Sequence, residues 1–198
     1  MKSNVYKINK GETDLSPLLA EAEKVASYNE LTPKDALYLR LLAEELVSML
    51  PAIVEDYHGE FWIENDGDAY ALCVKFQASD MKITTRERLI EVSKTQKNAY
   101  AVGITGRIRQ LLDYMAAESE NPMISPAAKY GFATNVDFSL IWSMKQCRDS
   151  LQKEESEKEK WDELEKSILV KIADDVLVGV KGKNVDIVIK KRFANNQC

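Results

Sequence analysis

The sequence predicts an α+β fold, a two-layer sandwich with helices packed on one face of a mixed, mostly antiparallel sheet. Three observations carry this. Two pairs of β-prone runs, one mid-chain and one near the end, are each joined by a tight turn. Two amphipathic helical stretches with start signals precede the first pair. The helices cluster instead of alternating singly with strands, as a doubly wound parallel sheet requires.

Val5, Tyr6 and Ile8 read as a short first strand that ends at Gly11. Helical spacing of Leu18, Leu19, Ala22, Val25 and Ala26 predicts a helix over Leu15–Tyr28, opened by Ser16-Pro17. The next helix has the fullest start signal, with Thr32 as N-cap, Pro33 at N1 and Asp35 at N3 as an acidic variant of the capping box. Its apolar positions are Leu37, Leu41, Leu42, Leu46 and Leu50, and Pro51 ends it. Residues 60–64 (EFWIE) and 69–76 (AYALCVKF) flank Asn65-Asp66-Gly67-Asp68, a hairpin signal. Helical patterns follow over 84–92 and 99–117, the latter interrupted by Gly103 and Gly106, and again from Asp137 through Phe138, Ile141, Trp142 and Met144. The mixed-sign run 153–160 (KEESEKEK) reads as a solvated turn or connector, and 161–172 as a helix. Val176, Val178 and Val180, then Val185, Ile187 and Ile189, alternate about a turn at 181–184.

The 198 residues fit a single domain over 1–198, long enough to bury a core without a disulfide or metal staple. With 45% hydrophobic residues and only 8 Gly and 5 Pro, collagen-like and disordered classes are excluded. The 27 basic and 32 acidic residues give a net charge of -5, so no chain-wide attraction draws it to nucleic acid. One histidine, His58, excludes a two-histidine metal site and argues against a Ser/His/Asp triad. Cys73, Cys147 and Cys198 lack zinc or disulfide-framework spacing. No apolar run marks a signal peptide or membrane anchor, so the expectation is a reduced, soluble, cytoplasmic protein that does not engage a membrane.

The order of elements, read with Leu39 to Met49 (LRLLAEELVSM), the hairpin over 59–76 and the closing stretch DDVLVGVKGKNVDIVIKKRF, resembles the ATP-binding domain of anti-sigma-factor serine kinases. These belong to the histidine-kinase-like (GHKL, Bergerat-fold) ATPase superfamily. The likeness spans about half of the chain and lies more in element order and apolar texture than in invariant residues. It implies a buried helix carrying Glu-x-x-x-Asn, an Asp-x-Gly loop after the hairpin, a lid, a glycine-rich helix start, and ATP with Mg²⁺ as cofactors. Glu44 matches the glutamate, which acts as base or water-positioner, but Ser48 stands where the Mg²⁺-binding asparagine belongs. A hydroxyl is a shorter oxygen ligand than an amide. Four-residue spacing places both on one helical face, where Arg40, Glu44 and Ser48 equally form the polar stripe of an apolar helix.

The adenine-binding carboxylate of the family aligns with Ala78, and Asp80 lies two positions later with no glycine beside it. Asp80 either substitutes through a bulge or caps a turn. Gly103 and Gly106 open a helical run where backbone amides would meet phosphates, with Arg107 or Arg109 adding charge, or they relieve helix packing. That segment lies far ahead of the final helix and hairpin, so either 121–160 is an insertion or the family's phosphate segment is lost; the chain's surplus over a minimal domain of the family implies a helical insertion at about 84–160. Trp62, Trp142 and Trp161 fit apolar patterns and no basic patch interleaves them. Lys190-Lys191-Arg192 either meets an acidic partner or guards a sheet edge.

The resulting expectation is a regulatory protein related to anti-sigma-factor kinases, with a nucleotide site weakened or lost and a protein partner. The alternatives are a non-catalytic interaction module on the same fold and an active ATP-dependent serine kinase. A dimer is compatible with any of these.

Overall fold

The structure is a computed structural model that describes residues 1–11, 14–54, 56–78, 104–106, 108–109, 112, 140–146, 167–181 and 183–193. Among the described residues, six strands form one open sheet. They are β1 (Tyr6–Asn9), β2 (Tyr57–Asp66), β3 (Ala69–Ala78), β4 (Leu140–Ser143), β5 (Asp175–Lys181) and β6 (Asn184–Arg192), in the order β1-β2-β3-β6-β5-β4. Every described pairing is antiparallel. Among the described residues the helices with both ends placed are α1 (Leu15–Tyr28), α2 (Pro33–Ser48), α3 (Leu50–Ile53) and α4 (Ile168–Ile172); residues 104–106, 108–109, 112 and 144–146 are helical too, so the class is α+β.

Both hairpins form as the alternation requires. Asp66 pairs with Ala69 across the turn Gly67-Asp68, which is tighter than the four-residue connection expected. Gly67 supplies a φ of 62°, the left-handed conformation that suits glycine at the first central position of a two-residue hairpin turn. In the second hairpin Lys181 pairs with Asn184. Gly59 answers to space: a Cβ there would meet the Lys75 carbonyl oxygen and lie 2.5 Å from the Phe76 Cβ. The cross-strand pair β2–β3 therefore has room only for hydrogen at that position.

Alternate strand residues are buried: Phe61 and Ile63, Leu72 and Val74, Val176, Val178 and Val180, Val185, Ile187 and Ile189. They form one hydrophobic cluster with Leu18, Ala22, Val25 and Ala26 of α1 and Leu39, Leu42, Ala43, Leu46 and Val47 of α2. Burying one face of each element against the others removes apolar surface from water, which drives this assembly. Leu37, expected on the apolar face, is instead 52% exposed. The helical stripe passes through Leu39, Leu42 and Leu46, and Leu37 lies off it.

The helix starts are built from side chains. Asp14, ahead of the expected Ser16-Pro17 start, caps α1 by accepting from the Ser16 N–H at 2.9 Å. Thr32 Oγ1 accepts from the Asp35 N–H at 3.2 Å, the N-cap half of the expected box, and donates to Asp35 Oδ2 at 2.8 Å, so the Asp35 carboxylate meets the Thr32 hydroxyl. Helix α2 stops at Ser48, and Pro51 lies in the first turn of α3 instead of ending one long helix. Between α1 and α2, Leu31 N–H reaches the Ala26 carbonyl and Glu30 N–H the Ser27 carbonyl, a Schellman closure. Its left-handed position, usually glycine, is Glu30 at φ 52°.

Two expectations are corrected. The helical pattern read from Asp137 fails at Leu140–Ser143, which is β4, paired with β5. Leu140, Ile141 and Trp142 suit a pleated surface, and tertiary pairing decides between the two periodicities. Strand β6 is interior, between β3 and β5, so Lys190-Lys191-Arg192 does not lie on an edge. The expected helix at 84–92, the polar run 153–160 and the first part of the helix expected over 161–172 fall outside the described residues, and that last helix is seen at Ile168–Ile172. Within 99–117, Ile104, Ile108 and Leu112 are helical and buried, as a four-residue stripe demands.

Candidate functional site

Helix α2 presents the expected catalytic face. Its buried residues Leu39, Leu42, Ala43, Leu46 and Val47 turn Arg40, Glu44 and Ser48 outward, and all three are exposed. The Arg40 guanidinium pairs with Glu23 of α1 at 2.6 Å. That contact ties α1 to α2 on the surface, and Arg40 is thereby committed to a protein carboxylate. Glu44 and Ser48 share the stripe, as the spacing requires.

The second element of the expected site is the end of β3. Ala78 is its last residue and pairs with Tyr57, at the start of β2. The position aligned with the adenine-binding carboxylate therefore carries a methyl group at a strand terminus. Asp80 lies outside the described residues, as do Gly103 and Arg107. Gly106 is described, helical and buried. Arg109, considered with Arg107 as a phosphate-facing charge, donates from Nη1 to the Ala52 carbonyl of α3 at 3.2 Å. Arg109 thus meets α3, which begins two residues after Ser48.

Among the described residues, the buried carboxylate is one that sequence reasoning passed over. Glu21 of α1 is 5% exposed. It accepts from the Asn4 backbone N–H at 3.1 Å, the Asn4 side-chain amide at 3.3 Å and the Tyr6 hydroxyl at 2.9 Å, with Lys24 Nζ at 3.8 Å. Burial pushes its carboxyl up, but the Asn4 N–H, the Tyr6 hydroxyl, the Asn4 amide and Lys24 together outweigh it and hold it below the usual glutamate range. The signal available was a glutamate at position 21, between Leu18 and Val25, on the helix's apolar face. The arrangement fastens Asn4 and the first residue of β1 to α1.

At the opposite end of the sheet from Ala78, a cleft of about 900 Å³ is lined by Glu64, Ala69, Ala71, Lys145, Asp175 and Lys190 among others. Its charges are largely committed to one another. Lys191 pairs with Asp174 at 3.0 Å, Arg192 with Asp68 at 3.6 Å and Lys2 with Glu64 at 3.9 Å. Asp175 accepts from the Ser143 hydroxyl at 3.0 and 3.1 Å, from Lys145 N–H at 3.0 Å and from Val176 N–H at 2.8 Å, joining the end of β4 to the start of β5. Two of the three residues in the basic run thus serve the fold.

Neighbouring this cleft, Lys2 Nζ lies 4.4 Å from the Trp62 ring centroid, and Trp62 Nε1 donates to Glu64 at 2.7 Å. Cys73 is buried on the same sheet face. Burial first, then Glu64 and Asp186, push its thiol up to about 12 against the opposing pull of Lys2, so it is no nucleophile near neutrality. His58 lies exposed on β2, with Nδ1 3.2 Å from Asn9 Oδ1 of β1. Tyr70 and Phe193 pack edge to face at 5.2 Å.

Among the described residues, no buried side-chain nitrogen or oxygen lacks a hydrogen-bond partner, and no group of three His, Cys, Asp or Glu is placed to hold a metal ion. No helix among them is long and apolar enough to cross a membrane. Comparison with known proteins gives no matching family model, no similar curated protein and no similar solved structure.

Proposed function

We propose that this chain is a regulatory domain of histidine-kinase-like ATPase descent, nearest to anti-sigma-factor kinases, whose nucleotide site is weakened or lost and which acts by binding a protein partner. In this reading α1 and α2 cover one face of the sheet, and 84–160 holds a helical insertion. The descent is supported by element order: strand, two helices, hairpin, then a closing helix and hairpin, with β3 joined to β6.

The observation that carries the loss of the site is Ala78 at the end of β3. A methyl group cannot accept the hydrogen bond that an adenine amino group would offer. Ser48 in place of an amide ligand and Gly106 buried within a helical run support the same reading. Phosphoryl transfer depends on several positioned groups acting together, so losing more than one counts heavily against turnover.

The test is isothermal titration of the whole chain with ATP and Mg²⁺ at millimolar nucleotide, beside a thermal-shift measurement. No saturable heat and no shift are expected. Micromolar binding that Glu44→Ala abolishes in a folded protein would overturn the proposal, and transfer of phosphate to a serine of a partner would restore the reading as an active serine kinase.

A further inference from the structure

We draw no further inference here: the strongest candidate, the cleft lined by Ala69 and Ala71 at the Arg192 end of the sheet, holds Lys2, Lys191 and Arg192 in ion pairs and sets Lys145 and Lys190 among Asp66 and Asp175, and nothing in it points to one ligand.

Discussion

Glu21 and Glu44 sit on neighbouring helices of similar length, and both follow apolar residues in amphipathic patterns. Glu44 has the spacing of a catalytic residue and stands exposed on the outer stripe of α2. Glu21 belongs to no motif, yet it is buried and accepts three hydrogen bonds from Asn4 and Tyr6 at the start of β1. The difference lies in what packs over each helix. The first residues of the chain run beside β2, with Ser3 N–H on the Ile63 carbonyl and Asn65 N–H on the Met1 carbonyl, and this places Asn4 and Tyr6 over α1. A carboxylate on an apolar face is tolerable only with such partners, because an unpaired buried charge is costly.

Replacing each glutamate in turn gives the sharpest separation. Glu21→Ala leaves the Asn4 N–H and the Tyr6 hydroxyl without their acceptor, and it costs about 2–3 kcal/mol of unfolding free energy, the usual scale for hydrogen bonds to a charged group. Urea denaturation measures it. A cost no larger than that of Glu44→Ala would erase the contrast.

Acid extends the test without changing side-chain volume. Because the Glu21 carboxyl is held below its ordinary value of 4.5, its contribution is fully present above that value and is lost as pH falls through the lower folded value. The stability gap between the parent chain and Glu21→Gln therefore narrows below about pH 4.5 and stays constant from there to neutrality. A gap unchanged down to pH 2, well below the ordinary range for Glu, would show that Glu21 contributes through packing and not through charge.

Much of this architecture was legible in local patterns, and the exceptions share a cause. Thr32, Pro33 and Asp35 announce the start of α2, and Gly67 and the alternating valines and isoleucines announce both hairpins, because capping and pleating act over a few residues. Leu140–Ser143 misled because four residues cannot distinguish a period of 2 from one of 3.6, and pairing with β5 decides the outcome. For the candidate site, the spacing of Glu44 and Ser48 gave their shared face correctly. Glu21 escaped notice because its partners Asn4 and Tyr6 are distant along the chain. Asp175 escaped likewise, since Ser143 reaches it from another strand.

A smaller effect isolates one bond of the Glu21 cluster. Tyr6→Phe removes the hydroxyl that donates to Glu21 at 2.9 Å and keeps the ring. Glu21 retains both Asn4 donors, so the expected loss is about 1 kcal/mol. In a double-mutant cycle with Glu21→Gln, the two changes couple and the summed cost falls short of additive. Strict additivity would place the Tyr6 effect elsewhere than in its bond to Glu21.

The smallest effect belongs to Glu44. Its side chain is exposed on a helix whose stability comes from Leu39, Leu42 and Leu46 on the other face, so truncation removes no buried contact. Alanine also has the higher helix propensity. Glu44→Ala and Ser48→Ala should each shift unfolding free energy by less than about 0.5 kcal/mol. A nucleotide site would make this same pair behave differently: ATP with Mg²⁺ would stabilise the parent chain by mass action and fail to stabilise Glu44→Ala. Equal melting temperatures of the two proteins, with and without nucleotide, are the expected result, and they would leave Glu44 as solvent-facing polarity on an otherwise apolar helix.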